Sequence, residues 1–244
     1  MNYWRRDLFL HPETAAVRPL VASSACLLGE PVRHDGGHRQ QAHFEQLLLP
    51  QLQLQGICPE VGIGMGVPRP TLKVIDADFG ARVVQVQDPS EDVTDALLDY
   101  ADSYMRKIGR FWPLTAYIFK ARSPSCGVDT TPVNPDTPQQ HQGSGAFAGR
   151  VRLWAPWLAL YEEEDLQTES ACADLILLCF ICRDILWQGG HWNEGRGLAH
   201  YSHLLGELPV QGCGRMPLWE AVRARLSALG KDRRGELIKQ YRTV

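Results

Sequence analysis

The longest uninterrupted apolar run in this sequence is Leu175–Cys182, far short of the roughly 20 residues a membrane-spanning helix needs. No membrane partner is therefore expected. Net charge is also scarce: 25 Lys and Arg against 28 Asp and Glu leave −3, too little to imply by itself a nucleic-acid or acidic partner. Cys179 and Cys182 form a C-x-x-C, but no second pair accompanies them, so the usual signature of a structural zinc site is missing. No internal repeat is visible. The N-terminal segment MNYWRRDLFLHPE has arginines and a brief apolar patch but no small-residue cleavage site. It reads as the start of a cytoplasmic protein rather than as a signal peptide.

What is present suits one sizeable domain with its own core, or one domain with an appendage: 244 residues, 44% hydrophobic and 22% charged. Seven cysteines are an odd count and are spread widely. Disulfides are rare in the cytoplasm, so some of these thiols are expected in the core and others as ligands or nucleophiles.

Residues 20–28 (LVASSACLL) read as a buried strand ending in a glycine-punctuated turn from Gly29 to Gly37. Residues 44–53 are a helix candidate that Pro50 would cut short. Short strands are expected over 54–58, 72–75, 82–86 and 115–120, with a helix over 92–108 capped by Ser90 or Asp92. Residues 129–145, rich in Pro, Thr, Gln and Gly, are expected to be mostly loop. From Ala146 the character turns helical, and Pro217–Leu229 is an amphipathic helix candidate. Strands alternating with helices predict an α/β fold, a mainly parallel sheet with flanking helices and a helical C-terminal extension.

Three cysteines share a context the others lack. Cys26 lies near the end of the first expected strand, Cys58 ends the second before Pro59 and Glu60, and Cys126 follows TAYIFK within RSPSCG. In open α/β sheets ligands gather outside the carboxyl ends of the strands, so these three thiols can converge. Thiolates select zinc, copper(I) or iron–sulfur clusters, and the spacing alone does not choose among them or exclude simple core packing. Cys172, Cys179 and Cys182 sit in an apolar helical stretch and read as core. Cys213, between two glycines, reads as a loop thiol.

Three blocks of this sequence resemble the thiouracil desulfidases, a TudS-like bacterial family. They are SACLLG (24–29) with VRHDGGH (32–38), CPEV (58–61) with GMGVPRP (64–70), and KARSPSCG (120–127); GAFA (145–148) and the acidic run 162–165 match more weakly. The resemblance spans roughly residues 18–180 in the family's order. Many relatives have tyrosine where this chain has His34, and the segment from Trp187 onward matches nothing assignable. The resemblance implies a Rossmann-like domain over 18–186, with residues 187–244 as an extension of unknown role. It also implies a [4Fe-4S] cluster held by Cys26, Cys58 and Cys126, and removal of sulfur from a thiolated pyrimidine without net redox.

Within that reading, Glu60 is the candidate proton shuttle and Ser123 a second catalytic candidate, bonding substrate or water. Arg33, Asp35 and His38 are candidates for reading the base edge or a ribose. Ser125 is a candidate donor to substrate or to a cluster sulfur. Arg69 and Lys120 read as solvated cations, with phosphate attraction as the alternative. Two other functions stay open: desulfuration of thiouridine in tRNA, and a sulfur-trafficking persulfide enzyme. A zinc module is the non-enzymatic alternative. The sequence leaves open whether the chain is a monomer or a homodimer.

Overall fold

A computed structural model describes residues 18–111, 114–156 and 158–187. The expected helix over 217–229 and nearly all of the 187–244 extension lie outside the described residues. Among those described, no helix is long and apolar enough to cross a membrane.

Four parallel strands form the central sheet: β1 (Leu20–Ser24), β2 (Gln53–Ile57), β5 (Leu114–Phe119) and β8 (Ala159–Glu162), in the order β2-β1-β5-β8. β1 and β5 are buried at every position, as strands covered on both faces must be. Their side chains alternate between two cores. Val21, Ala116 and Ile118 face one, and Leu20, Ala22, Tyr117 and Phe119 face the other.

The first core is roofed by helix α4 (Glu169–Trp187) and by a short π-helical turn, Phe44–Leu48, where the sequence suggested a longer helix. Thr168 begins α4, its hydroxyl accepting the Ala171 N–H at 3.1 Å. Cys172, Cys179 and Cys182 are buried there, as the sequence implied. The second core is covered by α2 (Thr94–Phe111) and α3 (Ala146–Trp154), packed against each other. The Asp92 carboxylate accepts the Thr94 N–H at 2.8 Å, so Asp92 is the cap at the start of α2. Phe44, Leu48, Phe119 and Phe147 are wholly buried, and each such side chain contributes about 1.5–3 kcal/mol.

A second, mixed sheet runs β4-β3-β6-β7, from β3 (Leu72–Ile75), β4 (Arg82–Gln85), β6 (Thr131–Val133) and β7 (His141–Gly143). Two of its strands lie in the stretch read as loop. They are three residues each, and one contains Pro132, too short to carry a period-2 signal. The edge strand β8 was likewise hidden inside a stretch read as helical.

The chain leaves β1 for β2 on one side and returns to β5 on the other. The crevice outside the carboxyl ends of β1 and β5 is thus a topological switch point, where α/β sheets bind ligands. A four-residue helix, α1 (Pro59–Gly62), begins directly after β2 at that same end.

Candidate active site

A cavity of about 380 Å³ opens at that end of the sheet, and Cys26, Cys58 and Cys126 all line it. Each comes from a different turn. Cys26 sits in a 3-10 turn, Ala25–Leu28, closed by Gly29 at φ 91°, a conformation that favours glycine. Cys58 is the residue before α1, in extended backbone that lets Pro59 start the helix. Cys126 lies in the 123–127 turn, closed by a Gly127 N–H bond to the Ser123 carbonyl at 2.9 Å.

The Cys126 turn is held from behind by the start of α3. Gly145, Ala146 and Ala148 donate their N–H groups to the carbonyls of Gly127 (2.7 Å), Pro124 (3.2 Å) and Ser125 (3.1 Å). Gly145 packs so close that a Cβ there would lie 2.5 Å from the Ser125 carbonyl carbon and 2.8 Å from the Cys126 nitrogen. Backbone cannot yield as a side-chain tip can. Gly145→Ala is therefore expected to cost about 1–3 kcal/mol of stability and to displace Cys126. Denaturant unfolding and bound iron per chain are the measurements, and an alanine variant equal to wild type in both would refute the close-packing account.

Burial raises all three thiols. Cys26 is pushed up to about 11, with Arg33 acting in the opposite direction. Cys58 is raised mainly by desolvation, and Cys126 is raised well above the usual thiol range by complete burial. A nucleophilic or persulfide-forming cysteine needs a lowered pKa, whereas a metal displaces the proton on binding. Among the described residues no group of three His, Cys, Asp or Glu is placed to hold a metal ion. A cluster presents separate irons to separate thiolates, so its ligands stand further apart than those around one ion. Three thiols of one cavity, with Arg33, Arg69 and Lys120 also on its wall, suit an anionic thiolate-ligated cluster. The Arg33 Nε is buried there without a hydrogen-bond partner; the Asp35 carboxylate stands 3.7 Å from it.

Glu60 lines the cavity with both oxygens engaged. Oε2 accepts Arg69 Nε at 2.7 Å, and Oε1 accepts the Ser125 hydroxyl at 2.9 Å. Ser123 also lines the cavity, but its hydroxyl accepts the N–H groups of Ser125 (3.3 Å) and Cys126 (3.1 Å), so it shapes the ligand turn. Arg33 is on the wall as well. Asp35, His38 and Ser125 are not among the lining residues. Asp35 accepts the Gly37 N–H at 2.9 Å, which helps hold its carboxyl below the usual range, and His38 Nδ1 accepts the Gln40 N–H at 3.2 Å. Both brace the turn after Cys26. Ser125, wholly buried, reaches Glu60 instead of the cavity.

Two residues read as solvated cations are partnered inside the site. The Arg69 side chain is 3% exposed and paired with Glu60. Lys120 pairs with Glu163, which also accepts the Ala121 N–H at 2.7 Å and so anchors the exit of β5. The Lys120 N–H in turn donates to the Ser24 hydroxyl at 3.0 Å. Glu162 binds the same region, accepting Val128 N–H and the Thr130 hydroxyl, each at 2.7 Å. The acidic run 162–165 was visible in the sequence, but its role as an anchor depends on β8 lying beside β5.

The family model described as 2-thiouracil desulfurase matches residues 21–164, the span that carries all of these groups. The chain is also similar to a solved [4Fe-4S]-dependent thiouracil desulfidase, at 25% identity and a TM-score of 0.49, over 61% of this chain and 93% of the other. No curated protein matches it.

Proposed function

The chain belongs to the 2-thiouracil desulfurase family, and from that premise we propose that it is an iron–sulfur-dependent enzyme that removes sulfur from a thiouracil-type base or nucleoside without net redox. The observation that carries this reading is the meeting of Cys26, Cys58 and Cys126 with Glu60 on one cavity at the switch point of the sheet. Residues 18–186 form the desulfidase domain in this reading, and 187–244 an extension without an assigned role. The cytoplasm is the proposed location, where thiols are kept reduced.

The three thiolates would hold a [4Fe-4S] cluster. When bound, such a cluster supplies an iron lacking a protein ligand, a Lewis acid suited to a thiocarbonyl sulfur. The remaining chemistry falls to the chain. Overall, C=S and H₂O become C=O and H₂S: water oxygen replaces sulfur on carbon, both water protons end on the sulfide, and no electrons are gained or lost. Glu60, within the cavity, takes a proton from the attacking water and returns it toward the leaving sulfur. Arg69 and Ser125 fix the carboxylate so that the proton has one destination. Ser123 holds the Cys126 turn while its hydroxyl borders the cavity. Arg33, also on the cavity wall, offers donors to the oxygen or nitrogen edge of a pyrimidine.

The test is anaerobic reconstitution with iron and sulfide, then incubation with thiouracil and thiouridine while released sulfide is measured. Bound iron, visible absorption and sulfide release are expected together. A colourless protein that binds no iron, or a loaded one that releases no sulfide from either substrate, refutes the proposal.

A further inference from the structure

On the reading just given, we propose that Arg69 is a positioning residue: a single guanidinium that ties the Cys58 ligand to the Glu60 carboxylate and sets the two in fixed relation.

Three of its nitrogens have separate tasks. Nε donates to Glu60 Oε2 at 2.7 Å, Nη2 to Cys58 Sγ at 3.8 Å, and Nη1 to the Gly66 carbonyl at 3.0 Å. The backbone is pinned as well, with the Arg69 N–H donating to the His34 carbonyl at 3.0 Å. A charge buried to this extent needs partners that satisfy it, and the partners here are the proposed ligand and the proposed proton shuttle. A planar fork addresses both at once, whereas a lysine ammonium on a flexible stem acts as a point charge.

Two consequences follow from one contact set. Hydrogen bonds to ligand sulfur tune an iron–sulfur centre. An N–H from a cation withdraws charge from the Cys58 thiolate and so raises the reduction potential of the bound cluster. The bond to Oε2 holds Glu60 where Ser125 meets its other oxygen. Ser125 touches only the carboxylate side of this arrangement, so the two functions can be separated by mutation.

The experiment compares holoenzyme of the wild type, Arg69→Gln, Arg69→Lys and Ser125→Ala in two assays, steady-state desulfuration of thiouracil and reductive titration of the cluster followed by electron paramagnetic resonance. Arg69→Gln is expected to lower kcat by about 10–100-fold with KM unchanged, and to move the midpoint to lower potential. Arg69→Lys keeps the charge and recovers part of kcat only. Ser125→Ala lowers kcat and leaves the midpoint at the wild-type value. A wild-type midpoint or a wild-type kcat in Arg69→Gln overturns the proposal. If that variant does not fold, Arg69→Lys decides, and wild-type values in both assays overturn it. A loaded wild-type protein that releases no sulfide sinks the desulfidase reading instead, and the midpoints still decide whether Arg69 acts on the Cys58 ligand.

Discussion

Replacing Cys58 by alanine is expected to leave a folded, colourless protein whose sulfide release from thiouracil does not exceed the uncatalysed background. The three thiols come from three turns, and none of the other cysteines described is on the cavity wall. With one removed, two thiolates remain for the proposed cluster, whose open iron would already lack a protein ligand. Folding is expected to survive, because Cys58 lies outside the three apolar clusters that form the core. Cys179→Ala is the matched control. That thiol is fully buried on α4 and is not on the cavity wall, so its loss is expected to cost stability and leave iron binding intact. Circular dichroism in the amide region, iron content with visible absorption, and sulfide release measure the three properties. A Cys58→Ala protein with full iron and turnover would remove Cys58 from the ligand set.

The second large effect is expected at Glu60. Glu60→Gln keeps the size of the side chain and an oxygen for Arg69, but the amide cannot serve as a base. Losing a positioned general acid–base group typically costs about 10²–10⁴-fold in rate, and that range is expected in kcat with cluster content unchanged. Because Arg69 also reaches Cys58, the variant must be shown to carry its iron before its rate is read. Normal turnover by an iron-loaded Glu60→Gln protein would exclude Glu60 as the proton shuttle.

The three ligand candidates stood out in the sequence as cysteines at the ends of expected strands, within blocks that resemble one family. The parallel sheet was legible from strands alternating with helices. Partnerships across the site were not. Arg69 and Lys120 read as solvated charges because a sequence shows a charge and not its burial; Glu163 meets Lys120 only once β8 lies beside β5, and Glu60 meets Arg69 only once the loop after α1 folds back. The two serines were similarly unresolved. Both flank Pro124, and only the folded turn shows Ser123 accepting from its own loop while Ser125 crosses to Glu60. Strands β6 and β7 escaped notice because three residues give no period to detect.

The anchoring of Lys120 by Glu163 bears on when the site comes into being during synthesis. Ser24 and Lys120 are 96 residues apart in sequence, Glu60 and Ser125 are 65 apart, and Lys120 and Glu163 are 43 apart. Contacts of this range form only after the intervening chain exists. The last anchor is not available until Glu163 has left the ribosome, long after all three thiols have emerged. Iron delivered earlier would meet a chain in which those thiols have no common cavity. Zinc fingers, whose folding is metal binding, pose the opposite case. Assembly of the proposed cluster is therefore expected to act on a finished domain, with a folded apo form preceding it.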